Sequence, residues 1–110
     1  MYKQGEIIVV PFPFSDLSSV KQRPVLILSK IQDIEKSQDI VTCGITSNLK
    51  DSSHSVLIEN NNLLEGTIPL KSRVKVDKLF SLDKNIIIKS VARLNKETFQ
   101  KVREEFCKLV

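Results

Sequence analysis

Three polar residues next to predicted strands carry groups that can bind a phosphate. Arg23 lies where a polar loop enters an apolar strand, and Thr46 and Ser47 end another apolar run. A guanidinium presents two parallel N–H donors that fit two phosphate oxygens. Hydroxyl and backbone N–H groups bind the same oxygens without carrying charge. These residue types indicate an oxyanion site, with Lys21 close to Arg23 as a further cation.

A row of charged side chains is predicted on one face of residues 71–77. The segment alternates at period two, so every second side chain points to the same side. The charged face carries, in order, Lys71, Arg73, Lys75 and Asp77. Neighbours on such a face are about 6–7 Å apart, close to the phosphate step of an extended single strand. The three cations therefore predict a track for a single-stranded polyanion; a solvated strand face is the alternative.

Composition bounds the function without deciding it. The 110 residues predict one domain, 1–110, with apolar residues at 41% and charged residues at 27%. The net charge is 17 − 13 = +4, which is compatible with a nucleic acid but shared by many unrelated proteins.

Cysteine spacing and hydropathy exclude several other classes. Cys43 and Cys107 lie far apart without metal-ligand spacing, so we expect two buried or half-buried free thiols and no metal or cofactor. The N-terminal residues lack the apolar region of a signal peptide, and no run approaches the ~18 apolar residues of a membrane span. We therefore expect a cytoplasmic protein with no membrane partner.

Short β-rich runs punctuated by turn residues dominate the chain. Pro11 and Pro13 indicate that the first strand ends at or near a sheet edge. Residues 30–38 are expected to form a loop or one helical turn. The predicted strands are 7–12, 24–29, 39–46, 55–59, 71–77 and 86–94.

One helix is predicted at the C-terminus. Asn95 is a good N-cap, and Leu94 and Phe99 occupy the staple positions around it. Glu97 with Lys101 and Glu104 with Lys108 stand four residues apart on its wet side. The apolar stripe consists of Phe99, Val102, Phe106 and Leu109. Many strands and one docking helix predict a mainly β fold, as a strongly bent antiparallel sheet or open barrel.

Four segments, taken in order, resemble the MazF/PemK family of toxin–antitoxin endoribonucleases. They are GEIIVVPFPF at 5–14, KQRPVLIL at 21–28, ITS at 45–47, and VKVDKLFSLDK at 74–84 followed by VARL at 91–94. No single segment is specific, but their ordered combination spans essentially the whole chain.

The resemblance implies an SH3-like barrel of the MazF/PemK/CcdB type that forms a homodimer. It also implies single-stranded RNA bound along the surface and a cognate antitoxin occupying the same groove. Cleavage would proceed by attack of the ribose 2′-hydroxyl on the adjacent phosphate, giving a 2′,3′-cyclic phosphate and a 5′-hydroxyl. Such chemistry needs a base, donors to the phosphorane and a donor to the leaving oxygen, but no metal.

Residue by residue, the resemblance suggests Arg23, Thr46 and Asp77 as catalytic. Arg23 would stabilise the phosphorane, Thr46 would contact a phosphate, and Asp77 would act as base or orient a basic neighbour. The expected RNA-binding residues are Ser47, Lys21, Lys71, Arg73 and Lys75.

The chain departs from the family pattern at two places. Lys75 stands where some members have an arginine, and a lysine cannot reproduce the two-point grip of a guanidinium. The loop before Arg23 lacks the glutamate or histidine of other members, which leaves the base open, with Asp16 the nearest acid and His54 the only histidine. Phe14 beside this loop could stack a base. Two alternatives remain: a toxin of the same fold that inhibits DNA gyrase, and an RNA-binding module that does not cut.

Overall fold

In the computed structural model, which describes residues 2–13, 20–50 and 53–110, the chain forms a curled antiparallel sheet. Within these ranges seven strands follow the order β4-β6-β3-β2-β1-β7-β5, and the mainly β prediction is confirmed. The strands are β1 Glu6–Pro13, β2 Val20–Ile27, β3 Asp39–Thr46, β4 Ser55–Ile58, β5 Leu63–Gly66, β6 Ser72–Asp83 and β7 Lys89–Leu94. The helices are α1 Ile31–Lys36 and α2 Lys96–Cys107, with short 3-10 turns at Asn60–Asn62 and Lys84–Ile86.

The prolines of β1 lie where the strand has lost one of its two neighbours. Glu6 to Val9 pair with β7, whereas Pro11 and Pro13 occur in the register only opposite β2. A proline cannot donate a ladder hydrogen bond, so it is tolerated where the second partner strand has ended. The predicted edge is therefore local: β1 is interior over its first half and one-sided beyond Val9.

β2 begins earlier than the sequence predicts. Val20 already pairs with Pro13, and Pro24 sits within the strand opposite Val9. Pairing between β2 and β3 starts only at Val25. Pro24 thus occupies a one-sided stretch, which is why a strand can include it.

The short edge strand β5 was not predicted from the sequence. Its two central residues, Leu64 and Glu65, are exposed, so no apolar alternation marks it. Gly66 ends it with a φ of 76°, and an added Cβ would lie 2.2 Å from the Val91 carbonyl oxygen. Only glycine fits at this contact with β7.

The C-terminal helix has the predicted cap and apolar stripe. The Asn95 side chain accepts a hydrogen bond from the Thr98 backbone N–H at 2.9 Å. Lys108 donates to Glu105 at 2.7 Å, one position along from the expected partner Glu104. The prediction for residues 30–38 is also confirmed, because α1 is a single short helix.

Two apolar clusters lie on opposite faces of the central strands. Adjacent residues Ile7 and Ile8 of β1 belong to different clusters, as alternation along a strand requires. The first cluster is covered by Phe99, Val102 and other residues of the α2 stripe. The second cluster consists of Ile8, Val10, Val25, Ile27, Ile34 and Ile40.

Neither helix in the described part of the chain is long and apolar enough to cross a membrane.

Candidate functional site

A groove of about 820 Å³ opens on the sheet beside the middle of β2, the end of β3 and the middle of β6. It brings together the three residues predicted to be catalytic, Arg23, Thr46 and Asp77, and one predicted RNA-binding residue, Lys75. The remaining lining residues are Pro24, Val25, Gly44, Ile45, Asn48, Lys50, Lys78, Leu79 and Phe80.

Arg23 and Thr46 lie just beyond the paired residues of β2 and β3, and both line the groove. Val25 of β2 pairs with Gly44 of β3, and the two strands are antiparallel. Arg23 lies two residues before Val25, and Thr46 lies two residues after Gly44. Residues two apart share a face of the strand, so the guanidinium and the hydroxyl project to the same side. Residues 23 apart in sequence therefore meet at one wall of the groove.

A bulge in β6 supplies the opposite wall. Lys75 pairs with Gly44, but the next β3 residue, Cys43, pairs with Leu79, so residues 76–78 are extra on β6. A bulge bends a strand and redirects its side chains. Asp77 and Lys78 are both exposed and line the groove. The sequence pattern predicts a regular alternation up to residue 77 and gives no sign of this irregularity.

The Thr46 hydroxyl is held by the loop that follows it. Its oxygen accepts a hydrogen bond from the Asn48 backbone N–H at 3.1 Å, and the Asn48 side chain accepts one from the Lys50 N–H at 3.0 Å. The hydroxyl acts as the acceptor in the first bond and so keeps its own proton for donation to another oxygen.

Positive charge predominates in the groove. Among its lining residues four are cations and one, Asp77, is a carboxylate. The cations are Arg23, Lys50, Lys75 and Lys78. A concave surface lined by one sign of charge concentrates ions of the other sign. The groove is therefore suited to an anionic ligand.

Cys43 is buried next to the bulge, and its thiol is unsuited to act as a nucleophile. Burial, with a smaller contribution from the negative charge of Asp77, raises the pKa of its thiol to about 12. The thiol is protonated at neutral pH and is a poor nucleophile. Cys107 is also free but exposed, so the expectation of a buried or half-buried thiol holds for Cys43 and is wrong for Cys107.

The other predicted RNA-binding residues lie outside the groove. Ser47 and Lys21 line a neighbouring hollow of about 570 Å³, which shares Arg23 with the groove. Lys71 forms an ion pair with Glu59, with its Nζ 3.4 Å from Oε2.

Arg73 is held by the loop between β3 and β4. Its Nε donates to the Leu49 carbonyl and its Nη1 donates to the Ser55 hydroxyl, both at 3.1 Å. Of the predicted cationic row, the groove lining includes only Lys75.

Of the nine groove residues that sequence reasoning did not propose, three carry a cation or an aromatic ring, namely Lys50, Lys78 and Phe80. Lys78 and Phe80 fall within the segment 74–84 that carries the family resemblance, and Lys50 lies in the polar loop after Thr46. Charge clustering around Asp77 could have indicated Lys78. The residues Phe14 and Asp16 lie outside the described part of the chain.

His54 faces the C-terminal helix and is not among the groove residues. Its Nδ1 lies 3.9 Å from Oε1 of Glu105, and its φ is 57°. Across the described ranges no group of three or more His, Cys, Asp or Glu side chains is placed to hold a metal ion.

Solved structures of toxins share this fold. The MazE–MazF complex from Deinococcus radiodurans (form III) superposes with a TM-score of 0.80 and 19% identity, over 98% of this chain and 94% of that chain. An endoribonuclease in complex with its cognate antitoxin from a Mycobacterial species gives 0.75 and 18%, over 98% and 93%. The Mycobacterium tuberculosis toxin MazF-mt6 gives 0.70 and 17%, over 92% and 93%. The fold is thus the SH3-like barrel found in these structures.

The sequence itself assigns the family. The profile of the PemK-like, MazF-like toxins of type II toxin–antitoxin systems matches residues 3–110. The chain therefore belongs to this family, as the ordered segments predicted. No curated protein sequence matches the chain significantly.

Proposed function

We propose that this protein is the toxin of a type II toxin–antitoxin pair and cleaves single-stranded RNA sequence-selectively. The observation that carries the proposal is the meeting of Arg23, Thr46, Lys75 and Asp77 in one open, cationic groove. Family membership supplies the reaction class, and the groove supplies the groups that this reaction needs.

The proposed reaction uses the 2′-hydroxyl of the RNA as nucleophile. Asp77 takes the hydroxyl proton, or orients the group that takes it, as the 2′-oxygen attacks the adjacent phosphorus. Arg23 and Thr46 donate hydrogen bonds to the phosphorane oxygens. The bond to the 5′-oxygen breaks, and this oxygen takes a proton from a cationic donor, for which Lys75 is the candidate. The products are a 2′,3′-cyclic phosphate and a 5′-hydroxyl.

Every step of this scheme is assigned to the RNA or to a side chain, so we propose that cleavage is independent of metals. Lys75 is a point charge rather than a planar fork. Arg23 therefore supplies the only guanidinium among the groove residues, and we expect it to dominate catalysis.

The proposed partners follow from the family. We propose that a cognate antitoxin covers the groove, that the toxin forms a homodimer, and that it acts in the cytoplasm. Two of the three solved structures described above are complexes with an antitoxin. Light scattering of the purified chain, alone and with the antitoxin, tests the two assemblies.

The decisive experiment is incubation of the purified protein with mixed-sequence single-stranded RNA in EDTA, followed by end-group analysis. We expect cyclic phosphate and 5′-hydroxyl ends. Arg23→Ala should lower the cleavage rate by about 100- to 1000-fold, the cost of removing one preorganised donor to a developing oxyanion. The unfolding temperature should stay nearly unchanged, because Arg23 is exposed.

Arg103→Ala is the matched control, since Arg103 is exposed on α2 and its replacement changes the net charge equally. It should cleave like the parent. Equal cleavage by Arg23→Ala and the parent would contradict the assignment. RNA that binds but stays intact would support a non-cutting module, and inhibited gyrase with intact RNA would support the gyrase alternative.

A further inference from the structure

Phe80 is an aromatic side chain shared between the core and the groove. It is half-buried on β6 and packs against the second apolar cluster, yet it also lines the groove. Contacts with the neighbouring strand β3 hold the backbone of this residue in place. Phe80 pairs with Thr42 of β3, and the fully buried Thr42 hydroxyl donates to the Phe80 carbonyl at 2.9 Å. The ring is therefore presented by a rigid strand rather than by a loop.

Apolar residues line the groove together with Phe80, next to the cation Lys78. Leu79 is 42% exposed and Pro24 is half-buried, whereas Val25, which also lines the groove, is buried. An exposed apolar wall next to cations has the two properties of a nucleotide site: charge for the phosphate and a flat apolar surface for the base. A purely anionic ligand such as inorganic phosphate would leave this wall in water.

The spacing along β3 fits one strand of RNA. Phe80 pairs with Thr42, and Thr46 lies four residues further on, which is about 13 Å along a strand. That distance equals about two phosphate steps of an extended single strand. A scissile phosphate at Thr46 and Arg23 therefore places a base one or two nucleotides away at Phe80.

We propose that Phe80 is a stacking platform for a nucleobase one or two nucleotides from the scissile phosphate. This inference rests on the proposed function, because it takes single-stranded RNA as the ligand. It assigns Phe80 a part in selecting the substrate and none in proton transfer. Stacking on an aromatic ring accepts every base but is strongest for purines, so the platform favours a purine at this position.

The test measures stacking separately from cleavage. The probe is an eight-nucleotide single-stranded RNA, randomised around a central 2-aminopurine, with 2′-fluoro sugars throughout that remove the nucleophile. Binding to the parent in EDTA should quench the 2-aminopurine fluorescence. Phe80→Leu should abolish the quenching and weaken binding about 5- to 100-fold, the range expected when one base–aromatic stack is removed. Phe80→Trp should retain both.

Two variants guard against a merely structural effect. Phe80→Leu keeps an apolar side chain against the second cluster, and its unfolding temperature should be close to that of the parent. Leu82→Met changes another β6 residue that packs on the same cluster but does not line the groove. It should bind and quench like the parent.

The outcomes separate this inference from the proposed function. Undiminished quenching and affinity in Phe80→Leu overturn the platform, whatever the cleavage assay shows. Phe80-dependent quenching together with a parent that cuts no RNA supports the platform and contradicts the proposed nuclease. Where the parent cuts, a cyclic-phosphate map that shows the same base preference for Phe80→Leu and the parent also overturns it.

Discussion

The helix-covered end of the barrel and the groove differ in how their charged side chains are arranged. Near α2, charges of opposite sign stand in pairs, as in Lys108 with Glu105 at 2.7 Å and Lys71 with Glu59 at 3.4 Å. In the groove, four cations and one carboxylate, that of Asp77, line the same surface. Exposed ion pairs contribute little to stability, whereas a concave surface lined mainly by cations attracts a polyanion. The modest net charge of the chain is therefore concentrated where it can act on a ligand.

The two regions also differ in their apolar surface. At the α2 end, Val102 and Ile58 are fully buried in the first cluster, whereas Leu79 in the groove is 42% exposed. We therefore propose that stability and function depend on different parts of one small sheet. Substitutions at the two ends should separate unfolding free energy from cleavage.

The largest effect is expected from Ile58→Ala in the cluster beneath α2. Removing a buried Ile side chain costs about 2–5 kcal/mol through reduced burial and the cavity left behind. Urea denaturation measures this destabilisation, and the cleavage rate per folded molecule should be unchanged. The neighbouring Leu57, 43% exposed, is the control; Leu57→Ala should stay within about 0.5 kcal/mol. A cleavage defect in folded Ile58→Ala would contradict the proposal that stability and cleavage depend on different ends of the sheet.

A smaller effect is expected from Thr46→Val. It concerns the activation free energy of cleavage rather than the free energy of unfolding. Valine keeps the shape but removes the hydroxyl, and a hydrogen bond to a charged oxygen is worth about 1.5–3 kcal/mol. Single-turnover cleavage should slow about 10- to 100-fold. Thr46→Ser keeps the hydroxyl and should cut within a few-fold of the parent. Equal defects in both variants would show that the methyl group, not the hydroxyl, matters.

The smallest effect compares two cations of the predicted row. The log–log slope of single-strand affinity against salt concentration becomes shallower by about 0.7 for each phosphate that the protein no longer neutralises. Lys75→Met should reduce the slope by this amount, because Lys75 lines the groove. Lys71→Met should leave it nearly unchanged, because Lys71 pairs with Glu59. Fluorescence titration of the 2′-fluoro probe at several salt concentrations measures both slopes. Equal slopes for the two variants would support the longer cationic row from Lys71 to Lys75 as the RNA-binding track.

Elements governed by local chemistry could be predicted from the sequence. The cap at Asn95 and the stripe of apolar residues define α2, and β3 has the bounds that its composition indicates. The meeting of Arg23 and Thr46 was predicted from the family resemblance, since neither residue type reveals its partner strand. Register then explains the meeting in the structure.

Features that depend on distant strands could not be predicted. β5 exists because β7 offers it a partner, and its own residues are mostly exposed. Arg73 shares a strand face with Lys75, as the alternation predicts, but the Leu49 carbonyl and the Ser55 hydroxyl hold its guanidinium. Those acceptors come from elements far away in sequence, so periodicity gives no sign of them.

The three extra residues of β6 have a wider consequence. Two of them, Asp77 and Lys78, line the groove, whereas Val76 is buried in the first cluster. Paired residues on both sides continue the surrounding ladder. A substitution at Lys78, which lies outside the paired residues and has no proposed part in proton transfer, should therefore alter the shape and charge of the groove wall with little effect on the strands that stabilise the protein. Because the residues of this segment do not pair with β3, their exposed side chains can change while the sheet stays the same. We expect new RNA preferences to be engineered most easily at Lys78.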